Sequence, residues 1–141
     1  MPLPTHLQLQ IVSAERSLVN ERVDEVEIPG AEGYFGVLPG HTPLLALLGA
    51  GELWYRQGQE RHYFAIGFGF AEVQPDRVTI LAQIAEKADE IDITRAEAAK
   101  KRAEERLSKL SAVDMDAERA RIALLKSLIR LQVSVRARIR S

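Results

Sequence analysis

From Glu86 to Ser141 the chain contains no glycine and no proline. That gap divides it into two parts that follow different rules. Glycine supplies positive φ, and proline fixes φ and removes a donor, so together they cut a chain into short elements. The long stretch without them is dominated by Ala, Leu, Lys, Arg and Glu, which are strong helix formers. The residues before about Gln83 read instead as strands and turns.

In that first part Leu7, Leu9 and Ile11 alternate with His6, Gln8 and Gln10, the period-2 signature of a half-buried strand. Val26 and Ile28 alternate with Glu25 and Glu27 in the same way. Further strands are expected at Leu53–Arg56, Tyr63–Ile66, Phe70–Val73 and Val78–Gln83. Turns are expected at Pro29-Gly30, Pro39-Gly40, Gly49-Ala50-Gly51, Gln57-Gly58-Gln59 and Pro75-Asp76. Gly67-Phe68-Gly69 is half of a dinucleotide fingerprint, but no helix follows it, so it reads as a hairpin corner. Many short strands at this spacing favour a sandwich or a barrel.

The second part reads as two helices. The first starts near Asp92 or Thr94: Asp92 can cap it, and Thr94 with Glu97 offers an alternative capping box. Ala96, Ala99, Ala103, Leu107 and Leu110 form its apolar stripe at 3-4 spacing. The second helix follows Ser111-Ala112-Val113-Asp114, with a stripe of Ala117, Ala120, Leu124, Ser127 or Leu128, and Leu131. A short connection predicts an antiparallel hairpin. Burial contributes about 25 cal/mol per Å² of apolar surface, so alanine packing stabilises such a hairpin weakly. The sequence leaves open a hairpin that detaches and one that stays docked. The expected division is a β-rich domain over 1–88 and a helical domain over 89–141.

Hydrophobic residues make up 46% of the chain, enough for a core. It has no cysteine, which excludes disulfides, thiolate metal sites and cysteine nucleophiles. Met1-Pro2-Leu3-Pro4 carries no basic residue, and no secretory segment follows. The longest apolar run, Leu44 to Leu48, falls far short of the roughly 20 residues that span a bilayer. A soluble chain is expected, reaching a membrane only through a partner.

The net charge of −1 conceals an acidic body and a basic end. Residues 119–141 hold no acidic side chain and seven basic ones: Arg119, Arg121, Lys126, Arg130, Arg136, Arg138 and Arg140. They form either a docking surface or a solvated helix face. No recognition-helix turn accompanies them, so nucleic acid is not an expected partner.

Motifs for chemistry are missing. The chain has no P-loop, no H-E-x-x-H and no G-x-S-x-G. His6, His41 and His62 are scattered and lack metal-ligand spacing. An enzyme reading would use His41 as general base with Glu32 beside it, but no nucleophile or metal completes that site. A loop that presents backbone and one histidine to a partner protein is the use the string favours.

That string, Gly33-Tyr34-Phe35-Gly36-Val37-Leu38-Pro39-Gly40-His41-Thr42-Pro43-Leu44, resembles the G-x-x-G-[IV]-x-P-G-H-x-P-L signature of the epsilon subunit of bacterial and chloroplast F-type ATP synthases. Val12-Ser13-Ala14-Glu15, Glu72-Val73-Gln74-Pro75 and Val78-Thr79-Ile80-Leu81-Ala82 agree in order, and the resemblance covers essentially the whole chain. It implies a flattened antiparallel β-sandwich of about ten strands followed by an antiparallel two-helix hairpin. It implies a non-catalytic rotor subunit at the foot of the central stalk, against the gamma subunit and the c-ring, on the cytoplasmic face of a bacterial inner membrane.

In this resemblance Glu32, Gly33 and Tyr34 match the ring-facing turn, and Pro39, Gly40 and His41 shape the surface beside it. Many relatives carry a polar or acidic residue where this chain has Tyr34. The C-terminal helices act in the family as a brake on ATP hydrolysis. When extended along gamma, they enter the catalytic head of alpha and beta subunits and meet an acidic loop of the beta subunits. The basic end described above would dock there.

Ile91-Asp92-Ile93-Thr94-Arg95-Ala96 also matches the [IL]-D-x-x-R-A motif of relatives whose folded hairpin binds ATP. The carried-over residues are Glu86, Ile91, Asp92, Arg95, Ala96 and Arg102. Lys126 and Arg130 join them once one inserted residue is allowed in the interhelix turn. Cationic side chains suit a triphosphate, and a carboxylate near a helix start suits adenine. Asp92 as a simple helix cap and Arg95 as a simple ion-pair partner remain open beside this. No cofactor is required, and ATP enters only as a regulatory ligand.

Overall fold

The computed structural model describes residues 3–109 and 115–140, without the side chains of Met115 and Arg140. Leu110, the 111–114 connection and the Arg140 side chain therefore lie outside the described residues, as do Met1 and Pro2. The chain forms two compact units, residues 1–86 and 87–141.

The first unit is a β-sandwich of seven strands: β1 (Leu7–Val12), β2 (Ser17–Val23), β3 (Glu25–Gly30), β4 (Gly33–Val37), β5 (Leu44–Gln57), β6 (Glu60–Gln74) and β7 (Arg77–Lys87). The strand order is β2-β1-β7-β6-β5-β3-β4. β1 runs parallel to β7, with Leu9 opposite Val78 and Ile11 opposite Ile80. The pairs β1–β2, β3–β4, β3–β5 and β5–β6 are antiparallel.

The hydrogen-bonded sheet is continuous, yet its two ends share one core. Val19 and Val23 of β2 belong to the same buried cluster as Val26 and Ile28 of β3 and Val37 of β4. The side chain of Gln57, at the end of β5, donates to Glu21 Oε2 and to the Arg22 carbonyl of β2, both at 3.0 Å. Strands far apart in sheet order meet face to face only if the sheet folds over into two layers. The period-2 alternation of β1 and β3 supplies that core: Leu7, Leu9, Ile11, Val26 and Ile28 are all fully buried.

The structure corrects the expected strand count, two of the expected turns and the expected corner: Pro29-Gly30 ends β3, and the turn itself falls on Ala31-Glu32. Gly49-Ala50-Gly51 lies inside β5, and Gly67-Phe68-Gly69 lies inside β6, so neither is a turn or a corner. The two segments face each other across the β5–β6 ladder, with Leu48 opposite Gly69 and Ala50 opposite Gly67. Phe68 takes a left-handed φ of 59° there. Glycine in a strand marks a bend or a close backbone approach as readily as a break. Strands expected as separate pieces therefore fuse into strands of 14 and 15 residues. Conversely, β2 carries only two buried residues, Val19 and Val23, and gives no alternation to read.

The second unit opens with a short 3-10 turn, Ala88–Glu90, followed by α1 (Ile93–Lys109) and α2 (Met115–Arg140). α1 and α2 pack against each other through small side chains. Ala96 and Ala103 are buried on α1, and Ala117, Ala120 and Ser127 on α2. Of the two alternatives at 127 and 128 the structure buries Ser127, whose hydroxyl returns to the Ala123 carbonyl at 3.0 Å, and leaves Leu128 exposed. Ile129 and Val133 are buried on a further face that the single stripe did not foresee.

Candidate functional site

The corner between β3 and β4 carries the expected turn residues. Gly30 pairs with Gly33, and Gly33 takes a φ of 136°, a region that side chains other than hydrogen rarely enter. The corner is tied back to β5 by the Ala31 N–H, which donates to the Leu47 carbonyl at 2.8 Å. Glu32 is exposed at its tip. Glu32, Gly33 and Tyr34 line a groove of about 460 Å³ together with Gly30, Ala31, Phe35 and residues 44–47.

Pro39, Gly40 and His41 lie on the following loop and do not line that groove. Gly40 turns with a φ of 86°, and its N–H donates to the Pro75 carbonyl at 2.7 Å. The His41 N–H closes a tight turn on the Leu38 carbonyl at 3.2 Å. His41 Nδ1 donates to the Thr42 carbonyl at 2.6 Å, which fixes the ring against its own backbone. Among the described residues no group of three or more histidine, aspartate or glutamate side chains is arranged to hold a metal ion.

The groove's apolar wall was missed in the sequence. Leu45 and Leu47 are 69% and 72% exposed, and Tyr34, Leu38, Leu44 and Phe70 are exposed as well. Leu47 stands opposite Phe70 on the ladder. An exposed apolar surface of this size is the kind that meets another molecule. The signal was present: Leu44-Leu45-Ala46-Leu47-Leu48 does not alternate, so both faces of that strand end are apolar.

In the helical unit Asp92 acts as the N-cap of α1. Its Oδ1 accepts the Arg95 N–H at 3.0 Å, and its carbonyl accepts the Ala96 N–H at 3.0 Å. The Thr94–Glu97 alternative is not used, because the helix already begins at Ile93. Ile91 and Ala96 are buried and spent on packing. Arg95 and Arg102 are exposed two turns apart, on one face of α1. Lys126 and Arg130 are half-buried one turn apart on α2. Glu86 lies on β7, in the first unit. Arg119, Arg121, Arg136 and Arg138 are exposed along α2, and Arg121 binds Glu118 at 2.9 Å.

Tyr55, in the sandwich core, has its phenol pushed up to about 12. Burial is the main cause, followed by the charge of Glu21 and a hydrogen bond to its carboxylate.

Comparison with known proteins decides the family. Residues 6–88 match the ATP synthase delta/epsilon chain β-sandwich domain, and residues 89–134 match the long α-helix domain of the same chain. The chain belongs to the ATP synthase delta/epsilon chain family. A relative from Syntrophotalea carbinolica, ATP synthase epsilon chain 2, is 45% identical over 130 residues, covering 92% of this chain and 94% of the relative.

The delta/epsilon fold recurs in solved structures. A chain from the Euglena gracilis mitochondrial ATP synthase (OSCP, F1 and c-ring in rotational state 1) superposes with a TM-score of 0.70 at 24% identity, covering 99% of this chain and 84% of that one. A chain from the central stalk and c-ring of the Tetrahymena thermophila mitochondrial ATP synthase gives a TM-score of 0.57 at 11% identity, covering 94% and 99%. At these identities the likeness speaks for the fold.

Proposed function

We propose that this delta/epsilon family chain is a non-catalytic rotor subunit of a rotary F-type ATP synthase, coupling the gamma subunit to the c-ring. The observation that carries this is the 45% identity to an ATP synthase epsilon chain over 92% of the chain. The β3–β4 corner (Glu32, Gly33, Tyr34), the loop at Pro39, Gly40 and His41, and the exposed leucines beside them form the surface for gamma and the ring. No helix among the described residues is long and apolar enough to cross a membrane. The assembled complex would hold the chain at the cytoplasmic face of the bacterial inner membrane. The working division is residues 1–88 for the rotor contact and 89–141 for regulation.

The test is reconstitution. Membrane vesicles with an ATP synthase stripped of its epsilon subunit should regain ion-coupled ATP synthesis when the full chain is added. No recovery, with the chain absent from the washed complex, would reject the assignment.

The same reading gives α2 an inhibitory role through Arg119, Arg121, Lys126, Arg130, Arg136, Arg138 and Arg140, which would meet acidic surface on the catalytic alpha and beta subunits. Opposite potentials steer such docking and set its register. ATP sensing belongs to the same hairpin. Arg95 and Arg102 on one face of α1, and Lys126 and Arg130 on α2, are the cations for a triphosphate, while Asp92 keeps Oδ2 beyond its capping bond. Binding would stabilise the packed hairpin by mass action and relieve the brake. Calorimetric titration of the full chain with ATP tests this: a saturable heat lost in Arg95→Ala supports it, and no heat rejects it.

A further inference from the structure

Tyr34 is exposed, yet its hydroxyl is spoken for. β3 pairs with β5 at Glu27–Trp54 and again at Gly30–Leu48, so between these points two residues of β3 face five of β5. Such a bulge leaves ladder groups without their regular partners. Pro29, inside the gap, has no N–H to offer. The Glu52 N–H on β5 donates instead to the Tyr34 hydroxyl at 3.1 Å. Tyr34 pairs with Pro29 from the far side of β3, so its ring spans the whole of β3 to reach β5. Gly51 is open for the same reason, since an added Cβ there would collide with the Tyr34 hydroxyl.

We propose that Tyr34 is a positioning residue that latches the β3–β4 corner to β5 and thereby sets the presentation of Glu32 to the rotor. The inference rests on the rotor reading above. At the Gly30–Leu48 pair the corner meets β5, and two bonds flank Gly49-Ala50-Gly51: the Ala31 N–H on Leu47, and the Tyr34 hydroxyl on Glu52. With the first bond alone the corner can pivot there; with both its angle is fixed. Tyr34 acts through this part-buried hydroxyl bond and leaves the polar contact to Glu32. Gly51 is the second half of the device.

The experiment uses the full chain with Tyr34→Phe, which removes only the hydroxyl. Two readouts are needed: hydrogen exchange at the Glu52 amide, and binding to a gamma–c-ring subcomplex. The variant should exchange that amide about tenfold faster and bind about tenfold more weakly. Gly51→Ala, which displaces the hydroxyl with Tyr34 intact, should weaken binding similarly and keeps the idea testable if Tyr34→Phe misfolds.

Glu32→Gln provides the decisive control. If Tyr34 acts through the corner, Tyr34→Phe costs little further binding once Glu32 is gone, whereas independent effects would add. Unchanged exchange at Glu52, unchanged binding, or additive losses would each overturn the proposal. Failure of the unsubstituted chain to bind would instead overturn the rotor reading.

Discussion

The sandwich and the helical hairpin are both two-sided packings, but they are filled with different atoms. The sandwich buries Phe64, Leu53, Ile66, Ile80 and Ile84 almost completely. The second unit buries mostly small side chains, Ala96, Ala103, Ala117, Ala120 and Ser127, with Ile129 and Val133 on a further face. Since stabilisation follows apolar area, α1 and α2 should part more easily than the two layers of the sandwich. In the proposed reading this contrast would suit a rotor contact paired with a movable brake. The difference therefore lives in side-chain size, before any partner is considered.

Core truncation should expose that contrast most strongly. Phe64→Ala leaves a cavity in the sandwich and should cost about 3–5 kcal/mol, read from urea unfolding of the full chain. A loss under about 1 kcal/mol would mean the sandwich is not the rigid half.

Alkaline pH should strain the sandwich and spare the hairpin. The neutral phenol of Tyr55 is favoured in the fold, from 10.0 to about 12. Its contribution is complete below pH 10 and is lost as pH rises through about 12. The shift corresponds to roughly 2–3 kcal/mol. Urea midpoints from pH 9 upward should fall more steeply for the unsubstituted chain than for Tyr55→Phe.

Overpacking should do to the hairpin what truncation does to the sandwich. Ala120→Leu forces bulk between α1 and α2 and should cost about 1–3 kcal/mol. Amide exchange should speed throughout α1 and α2 while β1 and β7 stay protected. The smallest effect is at the cap: Asp92→Ala should cost about 1 kcal/mol, visible as faster exchange of the Arg95 amide with little change in the sandwich.

How much of this was readable in advance follows the same contrast. The hairpin was legible because helical spacing survives in composition alone: the stripe Ala96, Ala103, Ala117, Ala120 and the Asp92 cap fell where expected. In the sandwich β1 and β3 announced themselves by alternation, because one face is buried and the other is wet. The long strands did not, because Gly49, Gly51, Gly67 and Gly69 look like breaks in a sequence and act as close approaches in the fold. The edge strand β2 was hidden by its polar residues.

At the candidate site, Glu32, Gly33 and Tyr34 were found through a motif. The apolar wall from Leu44 to Leu47 and the bond from Glu52 to Tyr34 needed the pairing of β5 with β3. A register break between distant segments leaves no local trace.

In the proposed function the sandwich holds the complex and the hairpin restrains it. The most direct measurement is ATP hydrolysis by an ATP synthase catalytic head with gamma, stripped of its epsilon subunit and given back either the full chain or residues 1–88. Both should bind, and only the full chain should slow hydrolysis. Binding by neither, or equal inhibition by both, would contradict it.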